Sequence, residues 1–336
     1  MIEKMLMSFI ASILALFVIS SCTGGGGSSG SINLIDYKLV SVANPGNNSD
    51  TPTGFGSVAY AYQMGKYDVT IAQYTVFLNA VAKTDTYELY NPNMGTDLNS
   101  AGITRRGSSG NYLYSVMMNS GSSANRPITY VTWLDAARFA NWMANGQPRG
   151  AQNSTTTENG AYNLNGATSG NAIAKNSINP NTGKSPTYYI PTYNEWYKAA
   201  FYSPSLNNGS GGYYLYATGS NTAPGNVVGS SPNQANVLIS VLFSFTQSAD
   251  YLYAKQNYLT DVGAFSGSSS YYGTFDQDGD VYQWNDLDGA VTPYRGLAGG
   301  YWFSGTSAAQ ATIYSTNAVT GTDNGTGFRL AAPAAL

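Results

Sequence analysis

The chain has 336 residues, 43% of them hydrophobic, which is enough to bury the core of one large domain or two ordinary ones. Its 15 Lys and Arg against 18 Asp and Glu give a net charge of −3, and no basic run is present, so nucleic acid is excluded as an expected partner. The chain has one cysteine and no histidine, which excludes an internal disulfide, Cys/His metal sites and Cys/His catalysis in the folded domain. Any metal bound by side chains would therefore have oxygen ligands, which favour calcium or magnesium over zinc, copper or iron.

The N-terminus has the pattern of a signal peptide over residues 1–21. Lys4 precedes an apolar stretch at 5–19, and two serines then lead directly to Cys22. The apolar stretch is shorter than the roughly 20 residues that a membrane-spanning helix needs. The sequence ISSC resembles the lipobox of bacterial lipoproteins, which implies cleavage before Cys22 and attachment of lipid to it. The alternative is an ordinary cleaved signal peptide with an incidental cysteine.

The residues that follow fit a lipid-anchored protein of the bacterial envelope. Residues 22–33 are rich in Gly and Ser and predict a flexible tether between the membrane and the folded domain. Thr23 stands where an aspartate would favour retention in the inner membrane, so it favours the outer membrane. The expected partner here is therefore the membrane, reached through the lipid on Cys22.

Three segments have the signature of a helix start followed by one apolar face. In each segment, a threonine is followed three residues later by a side chain that can complete a capping box. The pairs are Thr70 with Gln73, Thr132 with Asp135, and Thr192 with Glu195. Gly146 and Pro148 end the second segment. The sequence therefore predicts about three helices.

Short apolar or aromatic runs bounded by Gly, Pro, Asn and Ser predict strands at 58–64, 188–190, 213–216 and 281–284. No long helical pattern occurs after about residue 205. The fold class is therefore α+β with extensive irregular structure, and the absence of a linker after residue 33 favours one domain over 34–336. Residues 149–186 are predicted to be a surface excursion.

Several motifs, in this order, resemble the formylglycine-generating enzyme (sulfatase-modifying factor) family over residues 58–331. They are YQMGKYDVT at 62–70, RPI at 126–128 with VTWLDA at 131–136, IPT at 190–192 with Glu195 and Trp196, GDVYQW at 279–284, the stretch 295–302, and GFR at 327–329. The chain is most similar to a divergent Tyr- and Gly-rich branch of bacterial surface proteins. The resemblance implies a single loop-rich domain with short strands, related to the C-type lectin fold.

The resemblance does not carry over the family's chemistry. Members that make formylglycine bind copper with two cysteines, whose positions fall near Ser304 and Ala309 here, and the related iron-dependent sulfoxide synthases use histidines. A hydroxyl and a methyl group cannot replace copper-binding thiolates. We therefore expect no copper, iron or zinc and a non-catalytic ligand-binding or surface-interaction module. The alternative is an oxidoreductase or other enzyme of the family that acts without the usual cysteine pair.

The segment FDQDGDVYQW at 275–284 is a candidate calcium site. In the family, an Asn and a Glu of the motif GNVWEW, with a backbone carbonyl between them, help to hold a structural calcium; here Asp280, Val281 and Gln283 occupy those positions. The resemblance adds Asn236 as a member of the other family site. A regular strand would place 280 and 283 on opposite faces, so a bend is required. The alternative is that the aspartates are solvated turn residues.

The expected contact region is residues 301–324, where the related enzymes have their active site. It supplies the candidate binding residues Tyr301, Trp302, Phe303 and Tyr314. Aromatic side chains together with Ser, Gly and Asn offer rigid contact area and adaptable hydrogen bonds, as recognition surfaces do. Related folds in some bacterial lipoproteins carry C-terminal ligand-binding segments diversified by retroelements. The expected partner is an unidentified protein or glycan, while a core-packing role is the alternative for each tyrosine.

Overall fold

The computed structural model describes residues 34–170, 173–248, 252–253, 255–287 and 292–335. The predicted signal peptide, the tether and Cys22 lie outside these residues. From Leu34 onward the chain forms one compact unit. No helix within the described ranges is long and apolar enough to cross a membrane.

The three predicted helices are present, and each begins at its predicted threonine. The helices are α1 (Ile71–Val81), a single-turn α2 (Asn93–Thr96), α3 (Trp133–Ala144) and α4 (Tyr193–Phe201). In α1, α3 and α4 the threonine side chain accepts a bond from the backbone N–H three residues on, and that residue's side chain bonds back to the threonine N–H. Both hydrogen bonds of a capping box are thus formed. They satisfy N–H groups that the start of a helix leaves without partners, one through the threonine and the other through the Gln, Asp or Glu.

The strands are short and mostly antiparallel. They are β1 (Leu39–Val42), β2 (Tyr62–Gly65), β3 (Ile103–Arg106), β4 (Leu113–Val116), β5 (Tyr202–Ser203), β6 (Gly212–Tyr213), β7 (Tyr282–Asn285), β8 (Tyr294–Ala298), β9 (Ser315–Ala318), β10 (Thr326–Phe328) and β11 (Ala331–Pro333). Two larger sheets have the orders β1-β2-β11 and β10-β7-β8-β9, and β3-β4 and β5-β6 form separate pairs. β10 runs parallel to β7, and the other pairs are antiparallel.

Two of the four predicted strands are found at nearly the predicted place, as β2 and β7. The run 213–216 contributes only the end of the two-residue β6, and the run 188–190 makes a single bridge from Tyr189 to Ala331. Both predictions of a full strand were wrong, since these apolar runs pack as loop into the core instead of pairing along their length. The fold is nevertheless the loop-rich α+β fold with short strands that the family resemblance implies.

The main core lies between α1, α3 and the two larger sheets, and two smaller aromatic clusters lie towards the C-terminal half. The first small cluster is built on α4 from Tyr193, Trp196, Tyr197, Phe201 and their neighbours. The second contains Phe243, Tyr258, Leu259, Val281 and Trp302. These two clusters support the chain that links β8 to β9, which is the segment expected to contact a ligand.

The predicted surface excursion at 149–186 is partly an internal element. Arg138 of α3 and Glu158 of the excursion form a buried ion pair at 2.8 Å. The side chain of Asn141, fully buried on α3, donates to the carbonyl oxygens of Thr157 and Tyr162. The excursion therefore covers one side of α3, and its backbone polar groups take the place of water there.

Candidate functional site

Asp280 is buried and holds two neighbouring loops together. Its carboxylate accepts hydrogen bonds from Asn236 Nδ2 at 2.9 Å and from Thr260 Oγ1 at 2.8 Å. Burial, together with the nearby Asp276 carboxylate, raises the pKa of Asp280 to about 8. The side chain is thus a hydrogen-bonding centre between the loops of residues 236 and 260.

Asp276 and Asp278 tie two further loops to the same segment. Asp276 Oδ2 accepts from the backbone N–H of Gly263 at 2.7 Å, and Asp278 Oδ2 accepts from that of Thr218 at 3.3 Å. Asp278 is 3% exposed and Asp280 is 1% exposed. The alternative of a solvated turn residue, raised for Asp276, Asp278, Asp286 and Asp288, was therefore wrong for Asp278; Asp276 and Asp286 are partly buried, and Asp288 lies outside the described residues. Asp276 and Asp280 do have the left-handed backbone of turns, with φ of 60° and 58°.

Gln283 belongs to a different buried network. Its Oε1 accepts from Trp196 Nε1 at 2.7 Å and from Arg329 Nε at 2.6 Å. The Arg329 guanidinium also forms a fully buried ion pair with Asp68, with an N–O distance of 2.9 Å. The network joins α4, β7 and the chain between β10 and β11 at the centre of the molecule.

The arrangement around the predicted calcium ligands can now be compared with the needs of the ion. The required bend is present, because Gly279 and Asp280 have positive φ just before β7. Val281 is fully buried, and Asn236 turns its amide nitrogen, not its oxygen, to Asp280. The Gln283 oxygen faces a guanidinium and an indole N–H, so a cation there would have to displace them. As placed, Gln283 does not fit the calcium ion expected with Asp280 and Val281, and Asn236, expected at the family's other site, donates to Asp280 instead. A calcium titration tests both expected sites.

Among the residues that the structure describes, no group of three or more His, Cys, Asp and Glu side chains is placed to hold a metal ion. A site at the aspartate segment would consequently depend on backbone carbonyls and amide oxygens as well as on a carboxylate.

The aspartate segment lies directly against the segment that follows β8. The N–H of Gly279 donates to the carbonyl of Gly299 at 2.6 Å, and the N–H of Trp302 donates to the carbonyl of Asp280 at 3.0 Å. Gly299 has φ of 101°, and a Cβ there would lie 2.6 Å from the carbonyl oxygen of Gln277. Only glycine allows this close approach of two backbones. The aspartates therefore build the support on which the candidate contact region rests.

Ser304 and Ala309, near which the sequence resemblance places the family's cysteines, pack inside the domain. Ser304 is 8% exposed, and its Oγ accepts from the Tyr301 N–H at 3.2 Å within a tight turn. Ala309 is 1% exposed and ends the 3₁₀ turn Thr306–Ala309. Among the described side chains, no carboxylate or amine accepts a hydrogen bond from the Ser304 hydroxyl, and such a base is what a nucleophilic serine requires.

Trp302, predicted as a contact residue, is 1% exposed and cannot touch a ligand in this arrangement. Its indole lies parallel to the Tyr258 ring, with centroids 5.2 Å apart, and its Nε1 donates to the carbonyl of Asn324. It is an anchor, because burying a large aromatic ring and pairing its N–H fixes the backbone on either side.

The other three predicted contact residues reach the surface to different degrees. Phe303 is 41% exposed and stacks on the buried ring of Phe243. Tyr314 is 36% exposed and packs on Tyr193, with centroids 4.6 Å apart. Tyr301 is partly buried. Phe303 rests on one small aromatic cluster and Tyr314 on the other, so the segment between them spans both.

The sequence reasoning missed Ile313, which is 43% exposed beside Tyr314. An isoleucine between polar residues in a segment without helical or strand periodicity was the available signal. We call the exposed side chains of Phe303, Ile313 and Tyr314, together with the partly buried Tyr301, the 301–314 surface.

A second missed feature is a two-residue hairpin turn next to this segment. Ile239 and Leu242 exchange backbone hydrogen bonds, and the turn residues Ser240 and Val241 have φ of 48° and 67°. A β-branched residue with positive φ is strained. Val241 is nevertheless 59% exposed, and Leu238, just before the turn, donates to the carbonyl of Ser304.

Comparison with solved structures shows the fold. The crystal structure of CarF is 20% identical, with a TM-score of 0.51 and coverage of 89% of this chain and 99% of that chain. Variable protein 1 of Treponema denticola is 14% identical, with a TM-score of 0.51 and coverage of 91% of this chain and 98% of that chain. No curated protein matches.

Comparison with family models is more specific. The model described as the sulfatase-modifying factor enzyme 1-like domain matches residues 42–334. This range includes all the helices of the described residues, the aspartate segment, the buried Gln283 network and the 301–314 surface. The chain therefore belongs to the sulfatase-modifying factor enzyme 1-like family.

Proposed function

We propose that the protein is a lipoprotein of the bacterial envelope whose sulfatase-modifying-factor-like domain is a non-catalytic module that binds another protein through the 301–314 surface. The proposal is supported by the two positions near which the resemblance places the family's cysteine pair: the Ser304 hydroxyl accepts a hydrogen bond within a turn, and Ala309 is buried. Without a thiolate at these positions the family's copper chemistry has no ligands.

The character of the surface favours a protein as the ligand. Phe303, Ile313 and Tyr314 are each between 36% and 43% exposed. Partly exposed aromatic and aliphatic groups on a rigid support are typical of the residues that contribute most to protein–protein binding. Tyr193, 1% exposed, supports Tyr314 from below, so little side-chain entropy is lost when a partner covers that ring.

A binding array of purified proteins and glycans tests the proposal with the domain from residue 34 onward, which is one compact unit. We expect selective binding to a protein that Phe303→Ser and Tyr314→Ser each weaken at least about tenfold. Thr51→Val, at an exposed position outside this surface, is the matched control and should bind as the parent does. Binding that survives both surface variants would contradict the assignment of the site.

The membrane anchor needs its own experiment, because Cys22 lies outside the described residues. Metabolic labelling with a fatty acid should label the full chain and not the variant Cys22→Ser, and fractionation should place the labelled protein in the outer membrane. Recovery of an unlabelled, secreted protein would support the ordinary signal peptide instead.

The enzymatic alternative predicts a measurable reaction. Incubation of the protein, supplied with copper or iron, with a peptide carrying the sulfatase cysteine motif should leave the peptide unchanged, since the domain offers no thiolate or imidazole to a metal. Conversion of that cysteine, seen as a change in peptide mass, would overturn the non-catalytic assignment.

A further inference from the structure

The strand β9 begins directly after Tyr314, the last residue of the 301–314 surface. It lies at one edge of the sheet β10-β7-β8-β9, and among the described residues β8 is the only strand that pairs with it. The strand at the opposite edge, β10, is buried along its length, whereas Ser315 and Thr316 of β9 are exposed. The first half of β9 is therefore an open edge next to the 301–314 surface.

The register of the pair shows which backbone groups of β9 point away from β8. Val319, the residue after β9, donates its N–H to the carbonyl of Pro293, the residue before β8. Hydrogen-bonded and non-hydrogen-bonded pairs alternate along an antiparallel ladder, so Asn317 and Ser315 also bond to β8. The N–H and C=O groups of Thr316, which lies between them, consequently point to the outer edge.

The outer edge is closed at the end of β9 and open at Thr316. Ala318 also points outward, but its N–H donates to Asn317 Oδ1 and its carbonyl accepts from the N–H of Gly321, both at 2.8 Å. The N–H and C=O of Thr316 have no such partner among the described residues. Because Thr316 is exposed, another chain can reach this one donor and one acceptor.

Apart from its short length, β9 lacks the features that usually protect an edge strand. Lysine, proline or a bulge commonly keeps such a strand from pairing with another chain. The strand contains neither lysine nor proline, and no charged residue occurs between Phe303 and Thr322. The exposed residues 312–316, TIYST, are mostly of the β-branched and aromatic types that favour strands. This edge is therefore suited to pairing with an extended chain of low charge.

We propose that the protein partner of the 301–314 surface adds an extended segment to β9 by pairing with the N–H and C=O of Thr316. The inference rests on the proposed function, because it specifies how the partner of that same surface binds. In strand addition, main-chain hydrogen bonds supply affinity and the neighbouring side chains supply specificity. Here an apolar or aromatic side chain of the added segment packs on the Tyr314 ring, which is 36% exposed.

A library of random linear peptides displayed on phage, selected on the purified full chain, supplies the probe. Selected peptides whose binding Tyr314→Ser weakens are kept, and calorimetric titration measures their affinity. We expect Thr316→Pro to lower this affinity at least about tenfold, because proline removes the outward N–H and leaves a peptide carbonyl without a donor. Thr316→Val keeps the N–H and a branched side chain, so it is the matched control and should bind as the parent does.

The fold should tolerate Thr316→Pro, because the lost N–H takes no part in the pairing with β8. The melting temperatures of Thr316→Pro and Thr316→Val should therefore be close to that of the parent. Ser315→Pro, by contrast, removes an N–H that bonds to β8 and should lower the melting temperature clearly.

Single N-methyl groups placed along the selected peptide test the pairing without any change in the protein. Methylation of the residue whose N–H bonds to the Thr316 carbonyl should lower the affinity at least about tenfold. Methylation of its two neighbours should have little effect, because N–H groups of successive residues in a strand point to opposite edges. This alternation distinguishes strand addition from binding through side chains alone.

The outcomes separate this inference from the proposed function. If Tyr314→Ser weakens peptide binding but neither Thr316→Pro nor any N-methyl group does, strand addition is wrong and the proposed binding at the 301–314 surface stands. Strand addition is equally wrong if no selected peptide depends on Tyr314 while the protein array still yields a partner that does. If the array also yields no such partner, the proposed function and strand addition fail together.

Discussion

Arg329 Nε lies 2.6 Å from Gln283 Oε1, and through this bond the C-terminal GFR motif is joined to the motif that contains the aspartates. The same guanidinium pairs with Asp68 and donates to the carbonyls of Gly65 and Phe275. Segments separated by more than 200 residues thus meet at one fully buried side chain. All three nitrogens of the guanidinium donate to an acceptor. A charge can be kept in a protein interior only if it is paired and hydrogen-bonded in this way.

Replacement of Arg329 by Met should be strongly destabilising. The variant leaves the Asp68 carboxylate buried without its counter-charge, and removal of one partner of such a pair costs roughly 3–5 kcal/mol. Urea denaturation followed by tryptophan fluorescence measures the free energy of unfolding. The double variant Asp68→Asn with Arg329→Met is the control and should recover part of the loss. Equal stability of parent and single variant would contradict the network.

Trp302 and Phe303 are neighbours with opposite roles, so they should respond differently to truncation. Trp302→Ala removes a ring that is 1% exposed and should lower the free energy of unfolding by roughly 3–5 kcal/mol. Phe303→Ala removes a ring that is 41% exposed, and we expect a loss of only about 1–2 kcal/mol. Thermal and urea unfolding of both variants measures the difference. Similar losses would show that the exposed ring also has a core role.

The helices could be predicted from sequence because their signals are local. Thr70, Thr132 and Thr192 each lie three residues before a side chain that completes the capping box, and all three boxes are formed. Strands such as β9 and β11 were not predicted, because a three- or four-residue strand is defined by a distant partner. β11, for example, pairs with β2, more than 260 residues earlier in the chain.

The candidate site was only partly predictable for the same reason. The segment 301–324 was selected by its position in the family motif order, but burial decides which of its aromatic residues can touch a ligand. Trp302 points into a cluster with Phe243 and Tyr258, whose segment showed no motif.

A calcium titration tests whether Gln283 is a calcium ligand, as the family resemblance implies, or is held by its hydrogen bonds to Arg329 and Trp196. With the Gln283 oxygen accepting from Arg329 and Trp196, we expect no change in melting temperature between a chelator-treated sample and one with millimolar calcium. Asp280→Asn is the matched variant, since it removes the nearest carboxylate. A rise in melting temperature with calcium that Asp280→Asn abolishes would support the calcium site instead.

Asp135 should make the stability of the protein depend on pH. Burial raises the pKa of this carboxyl to about 7, against the opposing effects of its hydrogen bonds from Thr132 and of the Arg138 charge. The unfolded value is about 3.9. Between these two values the folded state binds more protons than the unfolded state, so stability falls as the pH rises from about 4 to about 7. The slope from this one group is at most about 1.4 kcal/mol per pH unit.

The variant Asp135→Asn isolates this contribution. Asparagine keeps a side-chain oxygen that can accept from the N–H and the hydroxyl of Thr132, so the start of α3 is retained. Asp276 and Asp286, whose pKa values burial raises to about 6, still titrate in the variant. We therefore expect a shallower, not a flat, dependence of the urea midpoint on pH, with the variant gaining on the parent as the pH rises. Parallel curves for the two proteins between about pH 4 and pH 7 would show that Asp135 is already ionised in the folded state.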